Sequence, residues 1–175
     1  MKILVFVRKV NLDLILGISF VMLGLMVCAC DSRSGRVVIG KPVPDFTYET
    51  LDGEWRKFRD LEGKVVFLRF WADWCRYCDV EMPIIDKLYQ EIKSKGFTVL
   101  AVNVKQPRAR ARAFVEKFSL SFPVALDEEI KIAKQYNVKG LPMNFVVNRE
   151  GILKELLIGP INDEQTLKKL LEPYI

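Results

Sequence analysis

The spacing of apolar residues changes several times along the chain, and each change marks an element. Residues 12–29 are almost unbroken apolar sequence, interrupted by Asp13, Gly17, Ser19 and Gly24 and preceded by Lys2, Arg8 and Lys9. A basic start before such a run is the layout of a targeting segment. Beyond a polar stretch, Phe46–Thr50 and Glu54–Phe58 flank Leu51-Asp52-Gly53, which predicts a hairpin. Lys64–Phe70 is too continuously apolar for a half-exposed strand and is expected to lie centrally in a sheet.

From about Asp73 to Lys95 the period becomes helical, with Ile84, Ile85, Leu88 and Ile92 on one side and Gly96 closing the end. Phe97–Val104 reads as a second buried strand, so strand, helix and strand form a right-handed parallel crossover. Arg108–Phe118 predicts an amphipathic helix with Phe114, Val115 and Phe118 inward, and Glu128–Tyr136 a shorter one. Asn144–Val147 and Ile152–Ile158 are expected as strands around the turn Asn148-Arg149-Glu150-Gly151. Asn162 or Asp163 can cap a last helix that packs Leu167, Leu170 and Leu171 on the sheet. The expected fold is α/β, a mixed central sheet with helices on both faces and an N-terminal β-hairpin extension.

Composition narrows the function. The leader takes three of 27 basic and one of 22 acidic residues with it, leaving a net charge of about +3 on the remainder, with signs mixed along the chain. Such a balance gives no argument for nucleic acid, and no base-reading motif is present. Val27-Cys28-Ala29-Cys30 resembles the bacterial lipoprotein signal, and by that resemblance Cys30 is the lipidated residue. An uncleaved signal anchor is the alternative, since the run approaches the roughly 18 to 20 residues that span a bilayer. Both place the rest of the chain outside the cytoplasm, on a bacterial membrane. The expected organisation is a leader or anchor over 1–29, a tether over 30–40 and one domain over 41–175.

With Cys28 and Cys30 assigned to the leader, the domain holds only Cys75 and Cys78. A disulfide-stapled scaffold is excluded, and two cysteines three apart close too short a loop to stabilise much, so the pair is there for chemistry or for metal. Cys75 at a helix start would have its thiolate favoured by unpaired amides and the positive dipole end. Cys78, one turn further in, would be shielded but within reach, so that Cys75 attacks and Cys78 resolves. The cycle needs no cofactor beyond this redox-active disulfide.

Phe70-Trp71-Ala72-Asp73-Trp74-Cys75-Arg76-Tyr77-Cys78 resembles the thioredoxin active site. Leu141-Pro142 within Val138–Phe145 is similar to that family's cis-proline loop, and Cys78-Asp79-Val80-Glu81-Met82-Pro83 to the extension of its TlpA/ResA-like branch. The resemblance runs from about Lys41 to the C-terminus. It implies a thioredoxin-like fold and a protein thiol-disulfide oxidoreductase, with protein disulfides or dithiols as substrates and a membrane thiol carrier as electron source. In that branch the typical role is a specific reductant, for instance in cytochrome c maturation. Glu81 would sit beside the cysteines and exchange the proton of the resolving thiol. Leu141 and Pro142 would offer backbone to an extended substrate segment, and Trp74, Arg76 and Tyr77 would line the rim.

Arg69 departs from the pattern, since that position carries an aspartate or asparagine in the family. A buried guanidinium needs a partner, and an ion pair with Glu81 beneath the cysteines would make the glutamate a weaker proton donor; an Arg69 side chain directed to solvent is the alternative. Lys105, Arg108, Arg110 and Arg112 form a basic cluster, read as solvated helix surface or as steering for an acidic partner. The competing functions are metal binding, peroxidase chemistry and a catalytically idle docking lipoprotein. The chain has no histidine, two thiols fill only half of a closed zinc site, and the Pro-x-x-x-Thr-x-x-Cys pattern of peroxiredoxins is missing.

Overall fold

The computed structural model describes residues 37–161 and 163–175. The leader, Cys30 and the tether up to residue 36 lie outside the described residues. Seven strands, β1 (Thr47–Thr50), β2 (Trp55–Lys57), β3 (Val65–Trp71), β4 (Phe97–Val104), β5 (Val124–Asp127), β6 (Met143–Val147) and β7 (Leu153–Ile158), form one mixed sheet in the order β2-β1-β5-β4-β3-β6-β7. The helices are α1 (Cys78–Ile92), α2 (Arg108–Lys117), α3 (Lys131–Gln135) and α4 (Glu164–Leu171). Among the described residues no helix is long and apolar enough to cross a membrane.

Strand alternation explains the two layers. β3 is buried along its whole length and pairs in parallel with β4 and antiparallel with β6. Its Val65, Phe67 and Trp71 share a core with Met82, Ile85 and Leu88 of α1, Phe114 of α2 and Leu167 of α4. Val66, Leu68 and Phe70 face the other way, onto Phe46, Phe58, Ile132 and Tyr136. Each such side chain contributes about 1.5–3 kcal/mol when fully buried. By the same period of two, Arg69 must point toward α1 with Phe67 and Trp71.

The hairpin extension β1–β2 closes one side of the sheet by pairing β1 antiparallel to β5. Phe46 stacks on Phe58 at 5.0 Å and meets Tyr136 edge-on at 5.5 Å, while Tyr136 Oη donates to Pro44 O at 2.7 Å. Burial raises the Tyr136 hydroxyl well above its ordinary value, so it remains a donor. Residues 37–40, expected as tether, are already tied to the domain. Gly40 N–H donates to Leu153 O at 2.8 Å and Leu153 N–H to Lys41 O at 3.0 Å, because β7 is an edge strand whose outer backbone groups have no further strand to pair with.

Three details differ from the expected elements. β5, four residues between Pro123 and the turn after Asp127, is not among them. α3 is shorter than Glu128–Tyr136: the Asp127 carboxylate accepts from Ile132 and Ala133 N–H at 3.1 and 2.8 Å, and Ile130 takes φ 61°, so residues 128–130 form a turn. α1 begins five residues later than Asp73, for a reason that belongs to the site. At the last helix, Asp163 is the cap, accepting from Thr166 N–H at 2.7 Å.

Candidate active site

Consecutive tight turns carry the chain from β3 into α1. Cys75 N–H donates to Ala72 O at 3.1 Å and Cys78 N–H to Cys75 O at 3.0 Å, and Cys78 is the first residue of the helix. Cys75 thus sits just ahead of α1 rather than inside it, because Asp73 is held elsewhere. The Asp73 N–H donates to Gln106 Oε1 at 2.8 Å, its Oδ1 accepts from Gln106 Nε2, and its Oδ2 accepts from Arg110 Nε at 2.6 Å. Gln106 is buried, and its Oε1 also accepts from Asn103 Nδ2 at 2.9 Å. A polar bracket from the end of β4 and the start of α2 therefore fixes the segment leading into the cysteines.

Cys75 and Cys78 are joined by a disulfide. Cys75 is 5% exposed and Cys78 not at all, so an incoming thiolate can reach Cys75 alone. The rim is apolar and accessible: Trp74 is 62% exposed, Tyr77 45%, and Val80, in the first turn of α1, 65%. The Arg76 guanidinium lies 5.9 Å from the centre of the Tyr77 ring, within cation–π range. β6 begins opposite Phe70, which brings the preceding Leu141–Pro142 turn to the same end of the sheet. That peptide bond is cis, and Leu141 packs against the cluster holding both cysteines.

Beneath the disulfide lies a buried ionic group. Arg69 is fully buried, and its Nη2 pairs with Glu81 Oε2 while also reaching Cys78 Sγ at 3.8 Å. Its Nη1 donates to Asn144 Oδ1 at 2.8 Å, from the position directly across β6. Glu81, one turn into α1, is also buried, and its Oε1 accepts from the Ile161 N–H. Burial pulls the guanidinium below its ordinary value, and the charge and hydrogen bond of Glu81 pull it back. Arg69 Nε has no partner among the described residues.

The positions singled out in the sequence therefore converge: Cys75, Cys78, Glu81 and Arg69 in one cluster, Trp74, Arg76, Tyr77, Leu141 and Pro142 around its mouth. Three of the four residues of the basic cluster are ion-paired, and Lys105 is exposed. Arg108 pairs with Glu49 at 2.5 Å, Arg110 with Asp73, and Arg112 with Asp52 at 3.4 Å, which ties α2 to the β1–β2 turn and to the active-site loop. Asn103, Gln106 and Ile161 join the site without having been marked by the sequence motifs, and Asn144, which stands inside the Val138–Phe145 motif, joins it without a role having been assigned to it. The visible signal for the two asparagines is a single amide inside an otherwise apolar strand, in Val102-Asn103-Val104 and Met143-Asn144-Phe145.

A disulfide with one reachable sulfur can pass its bond to a partner dithiol, and as a dithiol can reduce a partner disulfide. Known proteins agree with this chemistry. Residues 39–156 match the AhpC/TSA family. The thiol-disulfide oxidoreductase ResA of Geobacillus kaustophilus is 37% identical over 134 residues, 77% of each chain. That of Bacillus anthracis is 39% identical over 140 residues, 80% of this chain and 78% of the relative. Among solved structures, a Chlorobium tepidum protein assigned as the thiol:disulfide interchange protein DsbE superposes with a TM-score of 0.74 at 31% identity, covering 79% of this chain and 98% of the other. A seven-stranded mixed sheet, a cysteine pair at the mouth of α1 and this extent of identity place the chain in the AhpC/TSA family of thioredoxin-fold proteins, among the ResA-type thiol-disulfide oxidoreductases.

Proposed function

We propose that this enzyme works outside the cytoplasm, held to a bacterial membrane through its N-terminal segment, as a reductant of disulfides in protein substrates. The leader would cover residues 1–29 and the lipid would sit on Cys30. The observation that carries the choice of a protein substrate is the shape of the mouth, where Trp74, Tyr77 and Val80 stand exposed around a sulfur that is itself nearly covered. A rim of that kind suits an extended polypeptide better than a small disulfide, which would leave the aromatic surface unused.

In the forward cycle the Cys75 thiolate attacks a substrate disulfide, forming a mixed disulfide and releasing one substrate thiolate. Cys78 then attacks Cys75 Sγ, releasing the second, so that two electrons pass to the substrate and the Cys75–Cys78 bond closes. A membrane dithiol carrier reopens it. The supply of reduced cysteines for haem attachment during cytochrome c maturation is the role this reading favours, by analogy with the branch it belongs to.

The test is chemical. The Cys78→Ser variant should stop at a stable mixed disulfide on Cys75 with a disulfide-bonded model protein, and Cys75→Ser should give none. A reduction potential near thioredoxin's roughly −270 mV supports the reductant direction, whereas one near roughly −120 mV would reverse it.

A further inference from the structure

Resolution of the mixed disulfide needs Cys78 as a thiolate, at a place with no exposure to water. Burial alone disfavours that charge. A nearby carboxylate acting as base would solve the problem, but both oxygens of Glu81 are engaged: Oε2 by Arg69 and Oε1 by the Ile161 N–H. The group that does reach the sulfur is a cation. Arg69 Nη2 donates toward Cys78 Sγ at 3.8 Å, and the guanidinium is fixed from the other side by Asn144 Oδ1.

We propose that Arg69, rather than Glu81, activates the resolving cysteine: its guanidinium holds Cys78 as the thiolate in the mixed disulfide, while Glu81 and Asn144 hold Arg69 in place. This rests on the thiol-disulfide exchange reading and deepens it. In the mixed disulfide Cys75 is bonded to substrate and uncharged, so Cys78 titrates alone. Facing its sulfur are Arg69 from β3 and Glu81 from its own helix. The other neighbours in that cluster, Trp71, Met82, Leu141 and Ile161, are uncharged. The carboxylate of Asp73 is engaged by Gln106 and Arg110, and Asp79 is exposed. Cys78 loses its proton and attacks Cys75 Sγ. The bond from Cys75 to the substrate breaks, the Cys75–Cys78 bond forms, and the electron pair leaves on the substrate sulfur. That sulfur takes up one proton, matching the one Cys78 shed.

The experiment isolates Cys78 in the full chain with Cys28 and Cys30 replaced by serine throughout. In a Cys75→Ser background, thiolate absorbance and alkylation rate against pH give the ionisation of Cys78, with and without the paired change Arg69→Met/Glu81→Met, which removes both charges at similar volume and so spares the fold. That variant loses the guanidinium that touches the sulfur together with the carboxylate paired to it, so the nearer charge decides and the ionisation should move upward by about one pH unit. With both cysteines present, resolution of a preformed mixed disulfide with a small thiol should slow about threefold, the tenfold loss of thiolate being partly offset by its higher nucleophilicity. Glu81→Gln separates the two candidates. It keeps an amide oxygen as acceptor for Arg69 Nη2 while removing the negative charge that competes with the thiolate, so Cys78 should ionise at lower pH than in wild type; an unchanged or higher ionisation pH in that variant would overturn the proposal. An unchanged Cys78 ionisation in the paired variant would also overturn it while leaving the oxidoreductase reading intact. Absence of exchange in the wild-type protein would remove both.

Discussion

Replacing Glu81 by glutamine keeps the shape of the side chain and removes one charge from the ionic group under the disulfide. The consequence can be worked from the surroundings of Arg69. Its guanidinium is fully buried, Nε is already without a partner among the described residues, and the contacts left would be Asn144 Oδ1 at 2.8 Å and the weak donation to Cys78 Sγ. Breaking one side of a buried pair leaves an uncompensated charge and costs about 3–5 kcal/mol. The new amide must also set an N–H against either Arg69 or the Ile161 N–H, so relaxation cannot recover much. For a domain of about 140 residues, an unfolding entropy of about 0.3 kcal/mol/K converts this to a fall in Tm of about 10–17 °C. Equilibrium urea unfolding of the oxidised protein measures it, with the paired Arg69→Met/Glu81→Met variant recovering most of the loss, since apolar replacements of buried pairs are often neutral or stabilising. The loss should persist in high salt, because buried pairs are little screened. A drop below about 1 kcal/mol, the range of exposed pairs, would show that water reaches the pair and would refute the reasoning.

Two further outcomes follow from the helices around the site. Glu164 at the start of α4 bridges Lys168 at 2.8 Å and Lys87 of α1 at 2.7 Å, and those hydrogen bonds hold its carboxyl down at about 2 from an ordinary 4.5. A group lowered on folding stabilises the fold above its unfolded value and loses that contribution as pH falls, so the α1–α4 bridge should weaken between about pH 4.5 and 2; a carboxyl resonance of Glu164 titrating near 4.5 would contradict this. Gln106→Leu removes the amide between Asn103 and Asp73, leaving buried polar groups unpaired at about 1–3 kcal/mol; calorimetry reads the loss, and slower attack by Cys75 on a model disulfide should accompany it as the Asp73–Trp74 segment loosens.

Much of the fold is legible because its central elements are long and their periods clean. Phe97–Val104 is a strand over the very residues expected, and the β6–β7 hairpin follows its Gly151 turn. The short apolar run of β5 has no period of its own. It exists because β4 and β1 both pair with it, a tertiary cause that local sequence does not carry. The start of α1 differs from its expected place for a similar reason: the helical period starts in sequence at about Asp73, whereas the hydrogen bonds of Asp73 run to Gln106, 33 residues away. Arg69 is visible as an anomaly, and alternation along β3 suffices to aim it at α1; its contact with Asn144 is 75 residues distant in sequence and leaves no local trace.

The point where the described chain enters the domain has a consequence for reach. Pro42 bridges to Ile152 beside the β6–β7 turn, and Val66 at that pole pairs with Val147, whereas Phe70 pairs with Met143 at the pole of the cysteines. At roughly 3.3 Å per residue, the length of β3 sets the leash and the sulfurs about 20 Å apart. The described chain therefore enters the domain at the end of the sheet remote from the reactive sulfurs, and its first residues leave the approach to Cys75 uncrowded.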